Sequence, residues 1–200
     1  MFTLLGVLTM LALTMLQARL MDHRPASDNV ASGHFAPRTA ARTEAARRDR
    51  DLERNADLIV PVYGVGVSQL ADTWGAARAA GRVHQGVDIM APAGTIVRAV
   101  APGKVAKLFF SERGGITVYE VSADGRYIFY YAHLQRYAPG LKEGDTLAQG
   151  QAIAYVGMTG NAPVPHLHFE IQRAPDDGKW WRGEAFNPYP SLLAGRILSN

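Results

Sequence analysis

The period of apolar and polar positions changes along the chain. Residues 1–17 (MFTLLGVLTMLALTMLQ) carry no ionisable side chain. Such a run enters a bilayer at the short end of the ~17–25 residues that a spanning helix needs. We assign residues 1–18 to a signal peptide or a signal anchor. Arg19 and Arg24 follow the run rather than precede it, which opposes export under the positive-inside rule. Leu16 leaves no clear small-x-small cleavage site ending at Ala18. Residues 19–57 are polar and read as a linker. Pro25, Ser27, Asn29, Ser32, Gly33 and Pro37 punctuate its first half. Residues 38–55 are rich in Ala, Arg and Glu without Gly or Pro, which predicts a solvated helix.

From Leu58 the pattern shifts to short runs of period two, broken by Gly, Pro and Asp. Strands are expected over 59–62, 87–90, 95–99, 103–110, 116–121, 127–133, 152–156 and 166–172. Ser122-Ala123-Asp124-Gly125 predicts a hairpin. Residues 141–157 hold two tight Gly turns around a short strand, and 74–80 allow a short helix. Many short strands without long amphipathic helices predict a mainly β domain over 58–195. We expect an antiparallel sandwich or barrel-like sheet, preceded by an N-terminal apolar helix and a charged helical linker.

Composition changes this picture in two ways. The 200-residue chain has no cysteine, which excludes thiolate zinc sites, iron–sulfur clusters and thiol catalysis. Any metal must be held by His and carboxylates. The net charge of +3 is modest and calls for no nucleic acid partner. Much of the Arg lies in the linker, where Arg42, Arg47, Arg48, Arg50 and Arg54 are interleaved with Glu44, Asp49, Asp51 and Glu53. A solvated charged face accounts for that segment better than a binding site.

Three clusters carry candidate chemistry. In Pro165-His166-Leu167-His168-Phe169-Glu170, two histidines stand two residues apart and project to one face of a strand. His84 and Asp88 lie four apart across Gly86, and His133 ends the run Tyr130-Tyr131-Ala132. Alone, each is as well explained by a core or surface histidine. Together, His84, Asp88 and one member of the His166/His168 pair make a two-His, one-carboxylate set. That set suits Zn²⁺ with a fourth position open to water. His133 and the other imidazole then remain to accept the water's proton and stabilise the tetrahedral oxyanion.

His84-x-x-x-Asp88, Ala132-His133-Leu134 and His166-Leu167-His168-Phe169-Glu170 resemble the signature of lysostaphin/LytM-type zinc metalloendopeptidases, the duplicated hybrid motif family. Those enzymes cleave peptide bonds in bacterial peptidoglycan. The resemblance runs through Gly86–Thr95, Val156–Gly160 and Asn187-Pro188-Tyr189, and so covers about 58–195. It implies that His84, Asp88 and His168 hold zinc. It makes His133 and His166 the catalytic histidines beside a metal-bound water nucleophile. It also implies peptidoglycan stem peptides and cross-links as partners, in a cell-envelope location reached by export, with residues 1–18 as a possible inner-membrane anchor. Two stretches depart from the commoner pattern: the proline-rich Asn161-Ala162-Pro163-Val164-Pro165 and the segment Trp74 to Arg82. A second expectation, from relatives that have lost ligands, is a silent wall-binding activator of another hydrolase. A third, a biotinyl- or lipoyl-type carrier, lacks a modifiable Lys at a hairpin tip.

Several residues stay open at this point. Glu170 either orients a ligand imidazole or is a surface carboxylate. Tyr131 and Trp74 either line the groove or pack in the core. Trp180-Trp181 either contacts glycan or membrane, or caps the β core. His23 and His34 sit in the linker with nothing rigid beside them and carry no metal role.

Overall fold

The computed structural model describes residues 58–198. The expected N-terminal apolar helix and helical linker lie outside the described residues. Among the described residues nine strands occur in chain order: β1 (Val87–Met90), β2 (Ile96–Arg98), β3 (Gly103–Ser111), β4 (Gly115–Ser122), β5 (Tyr127–Tyr137), β6 (Thr146–Leu147), β7 (Ala152–Val156), β8 (His166–Arg173) and β9 (Glu184–Phe186). One seven-residue helix, α1 (Pro188–Ala194), follows. Among the described residues no helix is long and apolar enough to cross a membrane.

The strands form one antiparallel sheet in the order β1-β8-β5-β4-β3-β6, with β9 beside β8 and with β7 joining β2 to β5. It is not a closed barrel. The reason lies in β5, whose 11 residues outrun any single partner. Tyr127–Ala132 pair with β8, whereas Leu134, Arg136 and Tyr137 pair with β7. The sheet therefore forks at His133. Across the other edge, β4 pairs with β5 through a bulge between Ile116↔Leu134 and Val118↔Tyr131. At the other end of this pair the Asp-Gly hairpin forms as expected. Gly125 takes φ +75°, its N–H donates to the Ser122 carbonyl, and Asp124 accepts from the Arg126 N–H.

Alternation sets which side chains reach the cleft. On β8, Leu167, Phe169 and Ile171 are fully buried in the core, while His166, His168, Glu170 and Gln172 take the opposite face. Burying each of those three apolar side chains stabilises the fold by about 1.5–3 kcal/mol. A one-residue slip would place the imidazoles and Glu170 in the core instead, so the register that packs the core also fixes the site. Val87 and Ile89 of β1 do the same for Asp88, which pairs with His168 across the strands.

Two expectations fail. Residues 59–62 do not form a strand; only Val62 makes an isolated bridge, to Val97. Val60 and Val62 pack in the core from an irregular segment. Residues 74–80 are not an α-helix. They run as turns into a short 3₁₀ turn at Ala79–Gly81, because Arg78 and Ala76 bond back to Arg82 and His84 as a narrow loop.

Candidate metal centre

His84 precedes β1, Asp88 lies within it and His168 faces Asp88 from β8. Their donor atoms converge. His84 Nε2 is 2.8 Å from His168 Nδ1 and 3.0 Å from Asp88 Oδ1, and His168 Nδ1 is 3.1 Å from the same oxygen. Gly86 makes this approach possible. A Cβ there would sit 2.5 Å from the Phe169 carbonyl oxygen and 2.9 Å from His168 Cε1. Its φ is not left-handed, so the requirement is close passage of the chain over the His168 ring, not a turn at residue 86.

The outward nitrogens decide the tautomers. His84 Nδ1 lies 2.7 Å from the Thr73 carbonyl, which only accepts, so this nitrogen carries the proton. His168 Nε2 lies 2.9 Å from Glu170 Oε1 and donates to that carboxylate. With a single proton on each ring, the inner nitrogens and Asp88 Oδ1 offer three lone pairs to one point. Such a set calls for a positive charge; a proton on His168 Nδ1 donated to Asp88 Oδ1 supplies one, and a metal ion supplies another. Burial works against charge on His168, but Asp88 and Glu170 outweigh it and push the imidazole up to about 9. Burial likewise disfavours the Asp88 carboxylate, yet the bonds to His168 and His84 hold it well below the usual carboxylate range. The site is built for a positive charge. A tetrahedral zinc with bonds of about 2.0–2.1 Å has ligand–ligand edges of about 3.3 Å, and the donor triangle is close to that size. The donor set fits a metal ion.

The other two histidines face the same cleft, a cavity of about 530 Å³ lined by His84, Asp88, His133, His166 and His168 among others. The His133 and His166 rings are 4.8 Å apart, and His166 Nε2 is 3.6 Å from Asp88 Oδ1. Each donates its Nδ1–H to a carbonyl: His133 to Thr159 and His166 to Val164. The proline-rich stretch before β8 therefore fixes the His166 tautomer. Burial pushes His133 down to about 4, with nearby His166 and His168 adding to the effect against the Thr159 bond. His133 is also the extra residue of the β4–β5 bulge. It sits at φ +61°, the one left-handed non-glycine position among the described residues, and its N–H bonds the Gly114 carbonyl. A left-handed bulge turns this side chain out of the strand's alternation and into the cleft.

The structure also settles the open residues. Glu170 sits beside His168 with Gln172 Nε2 donating to its second oxygen, and it orients the imidazole. Tyr131 is fully buried and belongs to the core; its neighbour Tyr130 lines the cleft, with its ring 6.0 Å from that of His168. Trp74 is not among the cleft-lining residues. Trp180 packs on Tyr119 at 4.6 Å, and Trp181 remains 59% exposed. Sequence reasoning missed Thr73, which takes the His84 proton on its carbonyl and the Asp88 N–H on its hydroxyl. It also missed Arg78, whose guanidinium pairs with Asp88 Oδ2. Neither has a motif of its own; a loop returning to His84 was the only clue.

Residues 82–188 match the model described as Peptidase family M23. The chain belongs to that family. The M23 match takes in all five cleft residues named above. The chain is 34% identical over 131 residues to the L-Ala--D-Glu endopeptidase of Bacillus subtilis. It is 39% identical over 90 residues to peptidoglycan DD-endopeptidase ShyC of Vibrio cholerae. These matches cover 61% and 45% of this M23 chain but only 39% and 20% of those proteins. Among solved structures, the catalytic domain of lysostaphin from Staphylococcus simulans aligns at TM-score 0.54 and 31% identity. That alignment covers 62% of this chain and 90% of the lysostaphin domain.

Proposed function

We propose that this chain is a zinc endopeptidase that hydrolyses peptide cross-links of bacterial peptidoglycan. His84, Asp88 and His168 are its metal ligands, and His133 and His166 are its catalytic histidines. The observation that carries the reading is the convergence of two imidazole nitrogens and a carboxylate oxygen within 3.1 Å of one another, with two further imidazoles in the same cleft. The peptidoglycan endopeptidases among the relatives support the substrate class.

When bound, zinc makes water nucleophilic near neutral pH and polarises the scissile carbonyl. The remaining work falls to the protein. With their Nδ1 protons held by the Thr159 and Val164 carbonyls, His133 and His166 each present an Nε2 lone pair. One accepts the proton of the attacking water. Once protonated, it becomes a donor to the tetrahedral oxygen or to the leaving amine. Glu170 and Thr73 keep the ligand imidazoles in the tautomers that point lone pairs inward. In the same reading, residues 1–18 export the domain to the cell envelope and are then removed or retained as an anchor, and 58–195 is the catalytic domain.

The test is metal content and new peptide ends. The purified chain should hold about one zinc and release peptides from peptidoglycan. His84→Ala should lose both properties, whereas His133→Ala should keep the metal and lose cleavage. Full metal occupancy in His84→Ala removes the ligand assignment. Wall binding by the wild-type chain without new peptide ends favours an activator instead.

A further inference from the structure

Two arginines of the cleft are left unused by the chemistry above. Arg82 stands two residues before His84, on the wall formed by the loop whose backbone bonds back from Arg78 to Arg82. Arg113 lies in the tight turn joining β3 and β4 and lines the same cleft. That turn is anchored at the site: the Arg113 carbonyl accepts from the Asn161 N–H, and the next carbonyl, of Gly114, accepts from the His133 N–H. Both arginine side chains are exposed. Among the described residues, neither is paired with a carboxylate. The two acids of the cleft are already committed. Asp88 belongs to the donor set and to Arg78, and Glu170 to His168 and Gln172. A peptide lying across the histidines therefore meets two unpaired guanidinium groups and, among the lining residues, no free acid.

We infer that Arg82 and Arg113 are specificity residues that bind carboxylates of the peptide in this cleft. The favoured substrate is then a stem peptide with free carboxylates rather than a neutral oligoglycine bridge. A guanidinium matches a carboxylate through paired, charge-assisted hydrogen bonds. Such bonds have nothing to recognise on an oligoglycine chain. The inference rests on the peptidase reading, which supplies the peptide.

The experiment separates binding from turnover. Isothermal titration of the full chain, with chelator present to prevent hydrolysis, compares three probes: a synthetic stem peptide with free carboxylates, its fully amidated form, and C-terminally amidated pentaglycine. The wild type should bind the free acid about tenfold or more tightly than its amidated form. Arg82→Gln and Arg113→Gln should each erase about tenfold of that affinity and leave the amidated peptide unaffected. Arg113→Lys should restore part of it. With zinc restored, the Gln variants should raise KM for the free acid with little change in kcat. Equal wild-type affinity for the acid and amide, or variants that weaken both alike, overturns the inference. Carboxylate-selective binding without hydrolysis of any peptide supports the inference and refutes the peptidase reading instead.

Discussion

Glu120 offers a quantitative test of the packing behind the cleft. It lies on β4 facing the core and is fully buried. The Tyr131 hydroxyl donates to Oε2 at 2.6 Å and accepts from the Val100 N–H at 2.9 Å. Oε1 has no partner among the described residues. Burial pushes the carboxyl from 4.5 up to about 8, against the bond from Tyr131. Between those two values the folded chain keeps the proton and the unfolded chain releases it. Rising pH therefore favours unfolding across that window, by about 1.4 kcal/mol per pH unit. Stability contributed by the protonated acid is complete below pH 4.5 and lost as pH climbs through about 8. By pH 7 the loss amounts to about 3 kcal/mol, a large share of the ~5–15 kcal/mol that holds a domain. Glu120→Gln keeps the shape and removes the titration. Urea unfolding of both proteins, followed by tryptophan fluorescence with chelator present, should give a stability difference that moves in favour of Gln by about 3 kcal/mol between pH 5.5 and 7.5. Every other ionisable group is common to both proteins and cancels in the difference. Parallel pH profiles would show that Glu120 is charged in the core and would refute the reasoning.

Three further outcomes follow from the site. Gly86→Ala drives a methyl group into the Phe169 carbonyl and the His168 ring, so metal affinity should fall at least tenfold while the chain still folds; unchanged zinc stoichiometry under competition by a chelator would contradict the close-approach argument. Glu170→Gln keeps an acceptor for His168 but removes the charge behind it, and zinc affinity should drop about 10–100-fold by competitive titration; an unaltered affinity would make Glu170 a bystander. If the three donors hold zinc, a scan with zinc at about 1,000 times its dissociation constant should show about 4 kcal/mol more stability than one with chelator; coincident melting curves would mean that they hold no ion.

Much of the domain was legible in its alternation. Leu167, Phe169 and Ile171 against His166, His168 and Glu170 give β8 both its core face and its cleft face, because one period of two serves both. The same holds for Val87 and Ile89 around Asp88. What escaped depends on partners distant in the chain. β5 runs on through Leu134 to Tyr137 because it exchanges β8 for β7, and no local pattern announces a second partner. For the same reason Tyr130 and Tyr131, equal in composition, divide between cleft and core according to register. β9 is too short to show a period. The start of α1 was written in Asn187-Pro188, where the Asn side chain accepts from the Tyr189 N–H and Pro occupies the first turn. Thr73 acts mainly through its carbonyl, which any residue possesses, so its identity carried little signal.

The left-handed bulge at His133 has one more consequence. A backbone at φ +61° suits glycine better than histidine, by about 1–3 kcal/mol. A search for hardier variants that scored only heat resistance would be drawn to His133→Gly. Its product would keep the three donor residues and the β framework while lacking one of the two imidazoles assigned to proton transfer. Fitness for folding and fitness for turnover pull this single codon in opposite directions. On the peptidase reading, one substitution separates turnover from a sturdier fold without it.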